Sequence, residues 1–144
     1  MKDMLVHAHS GLRWLVLGLL LYAIYNAIGR NKSSYEKKDK MVNLFVMISL
    51  HIQLLLGLIL YFTSPKVSFA SGWMKDAALR FYGMEHLIGM LAAIVVITIG
   101  RKLAEKQETP TQKNKKIAIW YLMGLVLILA SIPWPFRGLG GLWF

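Results

Sequence analysis

Three imidazoles set in long apolar stretches, His9, His51 and His86, are the side chains with the most chemical potential in this 144-residue chain. A polar ring carried into hydrocarbon must find a partner, because a desolvated and unbonded polar group is costly. The partner can be a hydrogen-bonding group on a neighbouring helix or a bound metal centre. The chain has no cysteine, which excludes disulfides, thiolate metal sites, iron–sulfur clusters and thioether-linked haem. Metal donors are then limited to His, Met, carboxylate and backbone oxygen.

His51 sits in the middle of MISLHIQLLLGLILYF, where Ser49 and Gln53 are its only polar neighbours. His86 lies in FYGMEHLIGMLAAI, with Tyr82, Gly83, Gly89, Met90 and Ala93 at helical spacing from it. Small residues beside the ring leave room for a flat group or for a second helix. Two axial imidazoles on one iron need nitrogens about 4 Å apart, at metal–nitrogen bonds of about 2 Å. Counting about 1.5 Å per residue from the charged ends of their helices puts His51 roughly 15 Å and His86 roughly 22 Å from one membrane face. The offset is about one helical turn, which tilt can absorb. His9, nearer the other face, is the alternate partner for His86. A solvated interfacial position suits His7. Met84 and Met90 are further donors, although Met in a helical bundle is usually packing material.

Arg13 stands one turn from His9, and Arg80 and Arg137 fall toward the same face. Guanidinium groups there suit pairing with carboxylates such as haem propionates, and lipid headgroups are the ordinary alternative. Glu85 beside His86 can orient an imidazole, bind Arg80 or Arg13, or relay protons. Ser49, Gln53 and Gly57, spaced four apart, read as an interhelical packing stripe. No Walker loop, dinucleotide fingerprint, HExxH or Gly-x-Ser-x-Gly is present, so nothing points to hydrolysis or nucleotide chemistry.

These side chains require helices to hold them. Apolar blocks at residues 8–29, 41–63, 74–100 and 117–134 each supply about the 20 residues needed to cross a bilayer as a helix. The predicted fold is therefore all-α: one integral-membrane four-helix bundle spanning residues 1–144. The first helix has no cleavage signature behind it and is expected to be retained. Of the 17 basic residues, 11 lie in the segments 30–40 and 101–116. That asymmetry places both segments in the cytoplasm, and so both termini on the non-cytoplasmic side. It also accounts for the net charge of +10 without a nucleic-acid partner. The segment 64–73 and the tail IPWPFRGLGGLWF, with Trp134, Phe136, Trp143 and Phe144, are expected at the outer interface.

The strings HAHSGLRWLVL, SLHIQLLLGLILYFTSPKV, LRFYGMEHLIGMLAAIVVITIGR and SIPWPFR together resemble a family of small four-helix bacterial membrane proteins commonly labelled cytochrome b-like. The likeness covers nearly the whole chain. It implies a b-type haem held by histidines of different helices, among His9, His51 and His86, and a role in respiratory electron transfer in the bacterial cytoplasmic (inner) membrane. The chain lacks the second histidine pair of two-haem cytochromes, so one haem is expected. His51 and His86 are the expected axial ligands, His9 the alternate, and Arg13 and Arg80 the propionate contacts. The expected partners are the lipid bilayer, a quinone or a larger respiratory complex, and further copies of the chain. Two other functions fit the same residues. One is a non-catalytic accessory subunit or assembly factor of a larger complex. The other is a metal or proton carrier using His9, His86 and Glu85.

Overall fold

The computed structural model describes residues 2–30 and 33–143. Lys32 and Phe144, assigned above to a basic loop and to the interfacial tail, lie outside them, as do the side chains of Lys2 and Arg30. Helix α1 (Lys2–Tyr25) runs on through a wider-wound turn, Asn26–Arg30. Helix α2 covers Lys37–Thr63. A short α3 (Ala77–Arg80), a π-turn (Phe81–Glu85) and α4 (His86–Glu105) form one continuous third rod. Helix α5 is Pro110–Ser131. The chain is all-helical among the described residues, and four of its rods are long and apolar enough to cross a membrane.

Polar residues extend the helices beyond their apolar blocks and then stop them. Glu36 and Asp39 form a capping box at the start of α2, with the Glu36 amide donating to Asp39 Oδ2 at 2.9 Å. Asp76 caps α3 by accepting from the Leu79 amide at 2.9 Å, so the third rod begins at Ala77, after a 3₁₀ turn over Trp73–Lys75. Thr109 caps α5 with Pro110 behind it in the first turn. The fourth helix consequently begins seven residues before the apolar block and ends at Ser131, ahead of Pro133, which cannot supply an amide to continue it.

Short connections join the pairs α1–α2 and α4–α5, and the two members of each pair pack side by side. Helices α4 and α5 approach each other most closely, because glycine leaves room at three levels. A Cβ at Gly89 would run into Ser131, one at Gly100 into Trp120, and one at Gly124 into Ile97. The core between the rods is made of Leu20, Val46, Ala93, Ile97, Ile117 and Tyr121, all buried. Large apolar side chains such as Leu21, Leu55, Phe62, Val95 and Val126 stand exposed around the outside. This is the arrangement expected where the surrounding solvent is itself hydrocarbon.

The two ends differ. At the basic end, Asn114 Nδ2 donates to the Ser34 carbonyl at 2.7 Å and Lys113 lies over the Tyr35 ring, tying the 33–36 connection to the start of α5. At the opposite end the segment after α5 folds back over the bundle. There Arg13 Nη2 donates to the carbonyls of Leu142 (2.9 Å) and Trp143 (2.7 Å). Trp14 Nε1 donates to Trp143 O at 2.8 Å, and Lys66 Nζ donates to Gly140 O at 2.6 Å. Gly138 and Gly140 have φ of 67° and 70°, a left-handed backbone that glycine adopts without steric penalty and that lets the segment reverse.

Candidate functional site

His9 of α1 and His86 of the third rod both line a partly open cavity of about 170 Å³ and meet edge to face. Their ring centres are 6.2 Å apart with the ring planes at 75°. That spacing has a chemical meaning. Two imidazoles bound on opposite sides of one metal would have ring centres roughly 6 Å apart, from two bonds of about 2 Å and about 1 Å from each nitrogen to its ring centre.

Each ring is positioned by its neighbours. His86 follows directly on the π-turn, whose Gly83 carbonyl accepts the Tyr61 hydroxyl at 2.8 Å, anchoring the third rod to α2. Inserted π-turns often mark functional sites because they rotate the side chains that follow. His86 Nδ1 donates to the Ser131 carbonyl of α5 at 2.7 Å. A carbonyl can only accept, so in the neutral ring the proton sits on Nδ1 and Nε2 keeps its lone pair. A backbone carbonyl behind one nitrogen is the usual support for an imidazole that ligates through the other. On the facing side, Gln53 Nε2 donates to the His9 backbone carbonyl at 2.8 Å. Gly57 makes room for the ring, since a Cβ there would stand 3.1 Å from His9 Cε1. His9 Nδ1 is buried and has no hydrogen-bond partner. The Gln53 and Gly57 positions of the packing stripe thus support the site, while Ser49 bonds within its own helix, to Val46 O at 3.0 Å.

The walls are apolar, with Leu54, Leu58, Leu87, Met90, Ile94 and Ile128 among them. Polar groups gather in Arg13, Lys66, Tyr82 and Ser64. Arg13 is buried, and its guanidinium carbon lies 5.4 Å from the Trp14 ring centre and 5.7 Å from that of Trp134. Lys66 Nζ lies 5.1 Å above the Tyr82 ring.

The structure brings together His9, His86 and Arg13 of the expected site and leaves out His51 and Arg80. His51 is exposed on the outside of the bundle, away from the cavity, and its Nδ1 pairs with the Met47 carbonyl one turn back at 2.7 Å. An imidazole can satisfy one nitrogen in this way without any second helix. Arg80 is held by Glu85 (Nε to Oε1, 2.7 Å) and donates to Met74 O at 3.0 Å. The same pair turns Glu85 outward, so it does not join the two imidazoles. Arg137 donates to the carbonyls of Ala130 (2.8 Å) and Ile132 (3.1 Å), closing the end of α5. His7 is exposed, and Met84 does not line the cavity whereas Met90 does.

Lys66, Tyr82 and the Gly141–Leu142 part of the tail line the cavity, although none of them is among the site residues that the sequence pattern suggests. Lys66 does carry a signal in its place directly after Pro65, at the same end as His9. The tail carries none, because its carbonyls are the contacting groups and every residue has one.

Does this donor set suit a haem or a bare ion? No cluster of three or more His, Cys, Asp or Glu side chains occurs among the described residues. A bare ion would therefore draw two imidazoles and little else from the protein, whereas iron in a porphyrin needs only two axial donors. The lining of this cavity holds both imidazoles, apolar side chains and the cations Arg13 and Lys66, and a haem there would be held by the two histidines. Comparison of the chain with family models, curated proteins and solved structures finds no match in any of the three.

Proposed function

We propose that this chain is a b-type haem protein of the bacterial cytoplasmic membrane that carries single electrons, with His86 and His9 as the axial ligands. The observation that carries the reading is that two imidazoles from different rods, with ring centres 6.2 Å apart, line one largely apolar cavity. Haem, when bound, supplies the one-electron iron centre. The protein's part is to hold and insulate it. The Ser131 carbonyl fixes the His86 tautomer and leaves Nε2 available. Gly57 and Gln53 set the place of the His9 ring. Leu54, Leu58, Leu87 and Ile128 keep water away, and burial of this kind is one of the levers on the potential of a haem iron. Quinol or a neighbouring respiratory subunit is the proposed electron source.

The test is a reduced-minus-oxidised absorption spectrum of the protein purified in mild detergent after expression with ample haem. A six-coordinate b-type spectrum is expected, and a colourless preparation would reject the proposal. Co-purification of a large partner without any haem spectrum would instead favour the accessory-subunit reading.

We further propose that the basic end faces the cytoplasm, so that the cavity lies in the outer half of the membrane. The observation behind this is the concentration of Lys and Arg in the segments 30–40 and 101–116. Because the chain is free of cysteine, single substitutions report position cleanly. In spheroplasts, Ser68→Cys is expected to react with a membrane-impermeant maleimide, and Glu108→Cys only after lysis. The opposite labelling pattern would invert the topology.

A further inference from the structure

We infer that Arg13 and Lys66 form a recognition site for the carboxylate end of an amphipathic ligand, and that residues 138–143 are a strap whose backbone carbonyls occupy this site until such a ligand displaces them. Three observations carry it. First, among the described residues neither cation is paired with a carboxylate, unlike Arg80 with Glu85 and Arg101 with Glu105. A buried guanidinium is normally matched by an anion or a full set of acceptors, because desolvating its charge is costly. Arg13 is only 8% exposed, its Nη2 reaches two carbonyls, and its buried Nε has no partner at all.

Second, both cations line the cavity that holds His9 and His86. The same space thus offers apolar walls for a body and positive charge for a head. This is the pattern of a site for an amphiphile with one anionic end.

Third, the hydrogen-bond acceptors of both cations come from one short segment. The carbonyls of Gly140, Leu142 and Trp143 accept from Lys66, Arg13 and Trp14. Gly141 and Leu142 themselves line the cavity. A carbonyl is a neutral acceptor, whereas a carboxylate brings a full negative charge and can accept from a guanidinium through two parallel bonds. A carboxylate entering the cavity therefore competes well for the same donors. Gly138 and Gly140 lie at positive φ, and glycine reaches the negative-φ regions as readily.

Two sources share this chemistry: the propionates of a tetrapyrrole, and a free fatty acid from the bilayer. The inference rests on the haem reading only for the choice between them. The experiment titrates haem-free full-length protein in detergent with metal-free protoporphyrin IX, its dimethyl ester and dodecanoate, following tryptophan fluorescence. Metal-free porphyrin cannot use the histidines, so the carboxylates are read separately from axial ligation. The diacid is expected to bind at least about ten-fold more tightly than the diester, one charge-assisted contact's worth. Lys66→Gln and Arg13→Gln should each narrow that gap. Lys66 is on the surface, so its variant keeps the test usable if the Arg13 variant does not fold.

Amide hydrogen exchange in residues 138–143 should rise when the diacid binds and stay unchanged with the diester. Competition by dodecanoate at comparable affinity, with no haem spectrum in the native protein, would keep the carboxylate site and remove the haem reading. Equal binding of diacid and diester, unaffected by Lys66→Gln, would overturn the site. Unaltered exchange in the strap on diacid binding would overturn the displacement.

Discussion

His86→Ala and His9→Ala are each expected to abolish the six-coordinate haem spectrum, and His51→Ala to leave it in place. The effect is large because axial ligation is not a graded contact. If His9 and His86 hold a haem as proposed, removing either imidazole would take away one of its two protein ligands, and the haem would be readily lost. The contrast between the three variants is what makes the series informative. The His9 and His86 ring centres lie 6.2 Å apart, whereas His51 is exposed and tied to Met47 of its own helix. Absorbance at equal protein concentration, with haem content measured after extraction, checks the result. If His51→Ala alone bleached the preparation, the ligand pair would have to involve His51 on the outer surface of the bundle, and hence a second chain, and the cavity would need another purpose.

How far these residues can be read from sequence depends on what membrane burial does to patterns. The four apolar crossings are legible, because an uninterrupted apolar block of that length fits little besides a helix shielded from water. So is the unusual character of each imidazole, since a polar ring in such a block must be accounted for. What cannot be read is which way His51 points. In water, one helix face is apolar and the other polar, and periodicity separates core from surface. In lipid, both faces are apolar, so Ile48 and Ile52 beside His51 look the same whether they meet protein or hydrocarbon. The one-turn mismatch in depth between His51 and His86 is the single sequence signal against that pair.

The backbone features around the site are illegible for a different reason. Nothing in FYGME specifies a π-turn, whose Gly83 carbonyl accepts the Tyr61 hydroxyl of another helix. The ends of the rods depart from the apolar blocks because capping by Asp76 and Thr109 follows local polar chemistry rather than hydropathy. The fold-back of the tail onto Arg13 and Lys66 is made through carbonyls, which leave no trace in residue identity. Glycine is the more informative residue here. Gly57 and Gly89 each sit where another side chain comes in closely, and Gly57 also lines the cavity.

Gly89 carries the second large effect. It lies one turn beyond His86 on α4, and a Cβ added there would collide with the Ser131 side chain. The carbonyl of that same Ser131 holds His86 Nδ1 at 2.7 Å. Close approach of α4 and α5 and the setting of the ligand ring are therefore one structural fact. Gly89→Ala is expected to push α5 outward, at a cost of about 1–3 kcal/mol for an overpacked core position. It should also weaken haem retention by roughly 10–100-fold, the usual consequence of losing a supporting partner behind a ligand. The double variant Gly89→Ala/Ser131→Gly separates the two links. It removes the hydroxymethyl group that the new methyl meets, yet keeps the carbonyl at residue 131, so both the thermal midpoint and the haem content should recover toward the parent. Recovery of the midpoint without recovery of haem would mean that the carbonyl does not set the ring. Unchanged haem in Gly89→Ala would mean that His86 tolerates a shifted α5, and that its hydrogen bond is structural rather than part of the ligand geometry.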